Sequence, residues 1–170
     1  MEYAAKESDR IARTVAALVG EREAVVLAVG SDRVTGDCLG PLVGHMLAGS
    51  GAAVYGTLTA PVTALSVTET YETIKKRHPG AAVVAVDSAV GSDGEVGRIK
   101  IFPRGIRPAA AVGRTLPGVG DISVVGVVCP KREGAKALGS VRLGEVYTLA
   151  RTIADGLERA LLRARARAAR

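Results

Sequence analysis

Ala24-Val-Val-Leu-Ala-Val29 runs directly into Gly30-Ser-Asp-Arg-Val-Thr-Gly-Asp-Cys-Leu-Gly-Pro41, an apolar stretch set against a loop dense in glycine and acid. The run AVVLAV does not alternate, so it suits a strand covered on both faces, as in a parallel sheet between helices. Similar runs return at residues 81–86, AAVVAV, which lead straight into Asp87, and at residues 122–128, ISVVGVV. Pro41 fits the first position of a helix that continues through Val43, Met46 and Leu47 to Gly49. Gly30, Gly36 and Gly40 let the main chain bend sharply before it.

Outward from this stretch, Ser8-Asp9 reads as the cap of a first helix carrying Ile11, Val15 and Leu18 on one face and ending near Gly20. Residues 52–58 form a second strand candidate. Ser66 and Glu69 have capping-box spacing ahead of a helix with Tyr71 and Ile74, closed by Lys75-Lys-Arg-His-Pro-Gly80. Ser92-Asp-Gly-Glu95 reads as a tight turn into residues 96–102. There Arg98 and Lys100 alternate with Ile99 and Ile101, which predicts an edge or antiparallel strand. A loop over residues 105–120 is long enough to suggest a functional role. From Val141 a long final helix carries Leu143, Val146, Ala150, Ile153, Leu157 and Leu161 at spacings of three and four.

This alternation predicts an α/β fold, a three-layer α/β/α sandwich around a mostly parallel, mixed sheet of about five strands. At 170 residues the chain is expected to be one domain, 1–170, with a core that needs no disulfide. Cys38 and Cys129 have no metal or redox spacing and read as free thiols of a reducing cytoplasm. No apolar run approaches the ~20 residues that span a bilayer, and residues 1–8 do not read as a secretion signal. No membrane partner and a cytoplasmic location are therefore expected. Aromatics are 3% of the chain with no tryptophan, which disfavours base-stacking platforms. Of the formal +6 charge, four positive residues fall in residues 163–170. Nucleic acid is not the expected partner, except through that basic tail; the alternative for the tail is a solvated helix end that suits the dipole.

In open α/β sheets, ligands bind at the carboxyl ends of the parallel strands, where both the loop and Asp87 fall. The loop matches neither a nucleotide P-loop nor Gly-x-Gly-x-x-Gly, and Asp32 and Asp37 would repel a phosphate. Asp37 precedes a helix N-terminus, whose N–H groups favour its ionised form. Asp87 ends an apolar strand, where desolvation favours its neutral form. Two carboxyls pushed apart in this way can divide the base and acid roles of hydrolysis. Each also has a structural role open to it: Asp37 as a helix cap worth about 1 kcal/mol, and Asp87 as the anchor of the turn after its strand.

Thr35-Gly-Asp-Cys-Leu-Gly-Pro41 resembles the Thr-x-Asp-Ala-Leu-Gly-Pro segment of the bacterial germination proteases that degrade small acid-soluble spore proteins. Val83-Val-Ala-Val-Asp-Ser88 resembles their second aspartate segment, and Ile106-Arg-Pro-Ala-Ala-Ala-Val-Gly113 a later Pro-x-x-x-Val-Gly loop. Together with Gly118-Val-Gly-Asp-Ile-Ser123, these segments look most like the shorter sporulation proteins of the YyaC type. The resemblance covers about residues 24–128. It implies the phosphorylase/hydrolase-like fold shared with hydrogenase maturation endopeptidases, and an endopeptidase of sporulation or germination with an atypical aspartic mechanism. Small acid-soluble spore proteins, or another spore protein, would be its substrates in the cytoplasm of the forespore or sporulating cell. Carried over by position, the catalytic aspartates are Asp37 and Asp87, and the environment argument favours Asp37 as the base.

Two departures stand beside this resemblance. Germination protease is much longer and has an inhibitory propeptide for which this sequence has no room. Hydrogenase maturation enzymes sense nickel with an acid, an aspartate and a histidine, whereas His45 and His78 here lie within or at the end of helices. No metal and no cofactor is expected. Cys38 sits where the family pattern has alanine and is taken as a packing residue. Arg33 and Arg107, in loops near the crevice, are candidate substrate-binding residues for an acidic substrate, their other reading being exposed loop cations. The alternative function is a non-catalytic sporulation factor that binds a peptide or protein partner in the same crevice. The oligomeric state is left open, a homo-oligomer included.

Overall fold

The computed structural model describes residues 2–107, 118–133 and 135–168. A five-stranded sheet holds β1 (Ala24–Ala28), β2 (Ala53–Tyr55), β3 (Ala82–Gly91), β4 (Ile99–Phe102) and β5 (Ile122–Pro130). Their order across the sheet is β2-β1-β3-β5-β4. All neighbours run parallel except β4, which pairs antiparallel with β5 at the edge. The α/β reading is therefore correct; the strand expected over residues 96–102 does lie at an edge, but it spans only Ile99–Phe102.

The non-alternating strands are buried from both sides. On one face Val26, Ala82, Val84 and Val86 join a cluster with α1 (Glu2–Val19), α2 (Leu39–Leu47) and α4 (Leu143–Ala168). On the other, Val25, Leu27, Val83 and Ala85 meet Val67 and Ile74 of α3 (Val67–Arg77). The layers are unequal: three helices cover one face of the sheet and, among the described residues, α3 covers the other.

Glycine sets how closely the elements approach. A Cβ on Gly40 would stand 2.0 Å from the Val29 carbonyl oxygen, so the start of α2 lies directly against the end of β1. Similarly, a Cβ on Gly156 would fall 2.7 Å from the Ile11 Cβ, which seats α4 against α1.

Local punctuation differs from expectation in four places. Helix α1 begins at Glu2, so Ser8 and Asp9 are interior rather than capping. The Ser8 hydroxyl donates to the Ala5 carbonyl, and both side chains accept from the Arg159 guanidinium of α4. The Ser66–Glu69 capping box does not form, because the Ser66 hydroxyl accepts from the Thr63 N–H instead. A capping box forms at Ser92 and Glu95, with Lys100 and Ser92 holding the Glu95 carboxyl down to about 2. Leu143 is 59% exposed rather than part of the buried stripe of α4.

The basic tail continues α4 through Ala168. Arg165 donates to the Ser50 and Gly51 carbonyls after α2, and Arg167 donates to the Ala16 carbonyl near the end of α1. Two of its cations thus tie down main-chain carbonyls. No helix among the described residues is long and apolar enough to cross a membrane.

Candidate active site

Strand β1 pairs with β3 only as far as Ala28 opposite Val86, with one further bond from the Val29 N–H to the Val86 carbonyl. The chain then leaves β3 at Gly30, whose φ is +145° and whose N–H donates to the Val62 carbonyl. Glycine is required there, since a Cβ would fall 2.1 Å from the Asp37 carbonyl oxygen. Residues Thr35–Cys38 form a single 3₁₀ turn that leads into α2, opened by a bond from the Asp37 N–H to the Val34 carbonyl, while the Ser31 N–H donates back across the loop to the Asp37 carbonyl. Pro41 stands in the first turn of α2, two residues later than its expected place.

Strand β3 does not end at Asp87. It continues to Gly91 against β5, where the register shift opposite Ala89 and Val90 leaves Val128 of β5 as the extra residue and β3 itself regular. The expectation of a strand end is thus corrected: β1 ends there, and β3 runs past it. Sequence could not show this, since where a strand's neighbour stops is a tertiary fact. The consequence for Asp87 is nevertheless the expected one, because it lies just beyond the carboxyl end of the β1–β3 pair.

Asp37 and Asp87 line a single cavity of about 1480 Å³. By alternation Asp87 follows Val83 and Ala85 on the α3 face, while its carboxyl turns back to accept the Ser88 N–H at 2.8 Å. Asp37 arrives from the opposite face with α2; the Ser31 N–H, which donates to its main-chain carbonyl, and the Ser88 hydroxyl are near enough to favour its charge. The two acids therefore approach Ser88 from opposite sides of the sheet.

Burial pushes both carboxyls up from the ordinary range. For Asp37, desolvation outweighs the Ser31 N–H and the Ser88 hydroxyl that favour its charge. This corrects the expectation that the helix N-terminus would favour ionisation: no side-chain cap bond is made at α2, and enclosure dominates. Asp87 is pushed up much further, first by desolvation and then by the charge of Asp37, with the Ser88 N–H only partly offsetting these. The ordering is the expected one. Asp37 ionises first, and its charge then holds the proton on Asp87.

Neither structural role accounts for the pair. Asp37 caps no helix, and the bond from Ser88 to Asp87 sits within a continuing strand rather than a turn. Cys38 is buried, and desolvation followed by the charges of Asp32 and Asp37 raises its thiol, so it packs as a neutral group. His45 is exposed on α2. His78 meets the Tyr55 hydroxyl at 3.2 Å and Glu23 at 3.6 Å, away from the cavity. Among the described residues, no three His, Cys, Asp or Glu side chains gather to hold a metal ion.

Arg33 and Arg107 are both exposed and both line the cavity, as does Arg104, which lies over the Phe102 ring at 5.2 Å. Arg104, Ser31 and Ser88 are site residues that sequence reasoning passed over. Ser88 was within reach, because it directly follows the second aspartate. Residues 108–113 of the third resembling segment lie outside the described residues.

Residues 2–156 match a family model described as "Protein of unknown function (DUF1256)". A Bacillus subtilis (strain 168) protein described as "Uncharacterized protein YyaC" is 36% identical over 160 residues, covering 91% of this chain and 77% of that one. The chain therefore belongs to the DUF1256 family and is a protein of the YyaC type.

Proposed function

We propose that this protein is an endopeptidase of atypical aspartic mechanism, acting in sporulating cells on small acid-soluble spore proteins or another spore protein. The observation that carries the chemistry is the pairing of Asp37 and Asp87 in one cavity with staggered proton affinities. The cellular setting and substrate class come from the resemblance to germination protease.

In this reading the Asp37 carboxylate takes a proton from water as the water oxygen bonds to the scissile carbonyl carbon. The protonated Asp87 donates a hydrogen bond to the carbonyl oxygen and stabilises the charge that develops there. Collapse of the tetrahedral intermediate breaks the C–N bond, and the proton held on Asp37 passes to the departing amine. Ser88 fits a positioning role between the two, since its N–H donates to Asp87 and its hydroxyl is near enough to Asp37 to favour that carboxyl's charge.

The test is cleavage of purified small acid-soluble spore protein by wild type, Asp37→Asn and Asp87→Asn, with folding checked by circular dichroism. Each variant is expected to lose at least a thousandfold in kcat/KM while remaining folded. Saturable binding without turnover by the wild type would replace the peptidase with the non-catalytic binding factor.

A further inference from the structure

Beyond Val86, β3 has lost β1 but still holds β5, so one edge of its last residues lies open. In a strand, the N–H and C=O of one residue point to the same side and alternate along the chain. Val86 directs its carbonyl to β1, as the Val29 bond shows, and Val83 directs its carbonyl to the β5 side, where it accepts the Asp121 N–H. Ser88 and Val90 therefore turn their main-chain groups to the side that β1 has vacated. The Ser88 N–H is taken by Asp87. Among the described residues no main-chain partner meets the Ser88 carbonyl or the Val90 N–H and carbonyl. Residues 87–90 all line the cavity.

We propose that the substrate binds as an added β-strand along this edge, its main chain paired with the Ser88 carbonyl and with the N–H and carbonyl of Val90, and its acidic side chains held by Arg33, Arg104 and Arg107. This deepens the peptidase reading and rests on it for the placement of the scissile bond. An unpaired strand edge is a template for an extended peptide, with main-chain bonds supplying affinity and side-chain pockets supplying specificity. Here the template starts at the residue both aspartates approach, so a peptide bond paired beside Ser88 lies within reach of both.

Charge selects the occupant. Arg33, Arg104, Arg107 and Lys131 border the cavity, and none is in an ion pair among the described residues. Asp32 is the one acid beside the catalytic pair in the same lining. An acidic segment is therefore favoured over a basic one. Leu58 and Leu65, the latter 84% exposed, offer apolar contact to side chains on alternate positions of such a strand.

The test uses Asp37→Asn protein, which separates binding from turnover, and a fluorescent nonapeptide of alternating glutamate and leucine. Two further versions carry N-methyl groups on either the odd or the even amides. A strand presents alternate amides to its neighbour, so one methylated set is expected to bind at least tenfold more weakly while the other keeps the parent affinity. The lysine–leucine counterpart, and the parent peptide against Arg104→Glu/Arg107→Glu protein, are each expected to weaken at least tenfold. On binding, the Val90 amide is expected to slow in hydrogen exchange. Equal affinity for both methylated sets, or no saturable binding of the parent peptide, would overturn the proposal. Turnover by wild type that ignores N-methylation sinks strand pairing alone. Alternation-dependent binding without turnover sinks the peptidase alone.

Discussion

Replacing Gly40 with alanine tests whether the joint between α2 and β1 holds Asp37 in place. The new Cβ would stand 2.0 Å from the Val29 carbonyl oxygen and 2.8 Å from its carbon, where ordinary contact begins at 3.4 Å. In a close-packed interior that shortfall forces a retreat of roughly 1.4 Å by helix or strand. Overpacking a filled core costs about 1–3 kcal/mol, and since both obstacles are main chain that cannot rotate away, ~3 kcal/mol is expected. For a chain of this size that is a loss of roughly 6–12 °C in Tm. Far-UV circular dichroism during urea and thermal unfolding measures it. Gly49→Ala is the control, because its Cβ meets nothing within 4 Å and surface changes stay within about 0.5 kcal/mol. If Gly40→Ala unfolds together with Gly49→Ala, the joint is looser than the geometry requires and the account of how Asp37 is positioned is wrong.

Three other outcomes follow from the same residues. Because the folded protein holds the Asp87 proton to higher pH than the unfolded chain, its contribution to stability is present at acid pH and lost as pH rises. Asp87→Asn should therefore raise Tm at pH 8 and change it little at pH 3.5, with about 1.4 kcal/mol for each unit of pKa difference; a Tm lowered at pH 8 contradicts the burial argument. Cleavage rates should trace a bell, falling below the Asp37 transition and above that of Asp87, and Asp37→Glu should move the acid limb more than the alkaline limb. Removing residues 163–170 should lower Tm by a few degrees, through loss of the Arg165 and Arg167 bonds to carbonyls, and a truncated protein as stable as the parent would show those bonds to be idle.

Much of the fold was legible because its strands report their surroundings directly. Residues 24–28 and 82–86 could lack alternation only if both faces were covered, and the alternation at 98–101 could arise only on a strand with one wet face. The two aspartates stood out for different reasons: Asp87 directly follows a buried run, and Asp37 lies in the glycine-rich loop between another such run and a helix start. Punctuation was less readable. Ser66 and Ser92 carry the same Ser-x-x-Glu spacing, yet only Ser92 closes a capping box, because Thr63 engages the Ser66 hydroxyl from outside the motif. The direction of the Asp37 shift was also hidden, since enclosure depends on what β3 and the 3₁₀ turn bring over it. Arg104 escaped notice because its membership of the cavity depends on where the chain goes after β4.

The unequal cladding of the sheet has a dynamic consequence. Helix α3 has two fully buried anchors, Val67 and Ile74, whereas α4 packs against both α1 and α2 through a continuous row from Val146 to Ala164. Native-state hydrogen exchange is accordingly expected to resolve two foldons, with α3 amides exchanging through a low-energy opening and the α1–α4 block only through global unfolding. Leu58, Thr63 and Leu65, which lead into α3, line the cavity, so that wall is expected to share the openings of the looser layer while the framework carrying Asp37 and Asp87 stays intact.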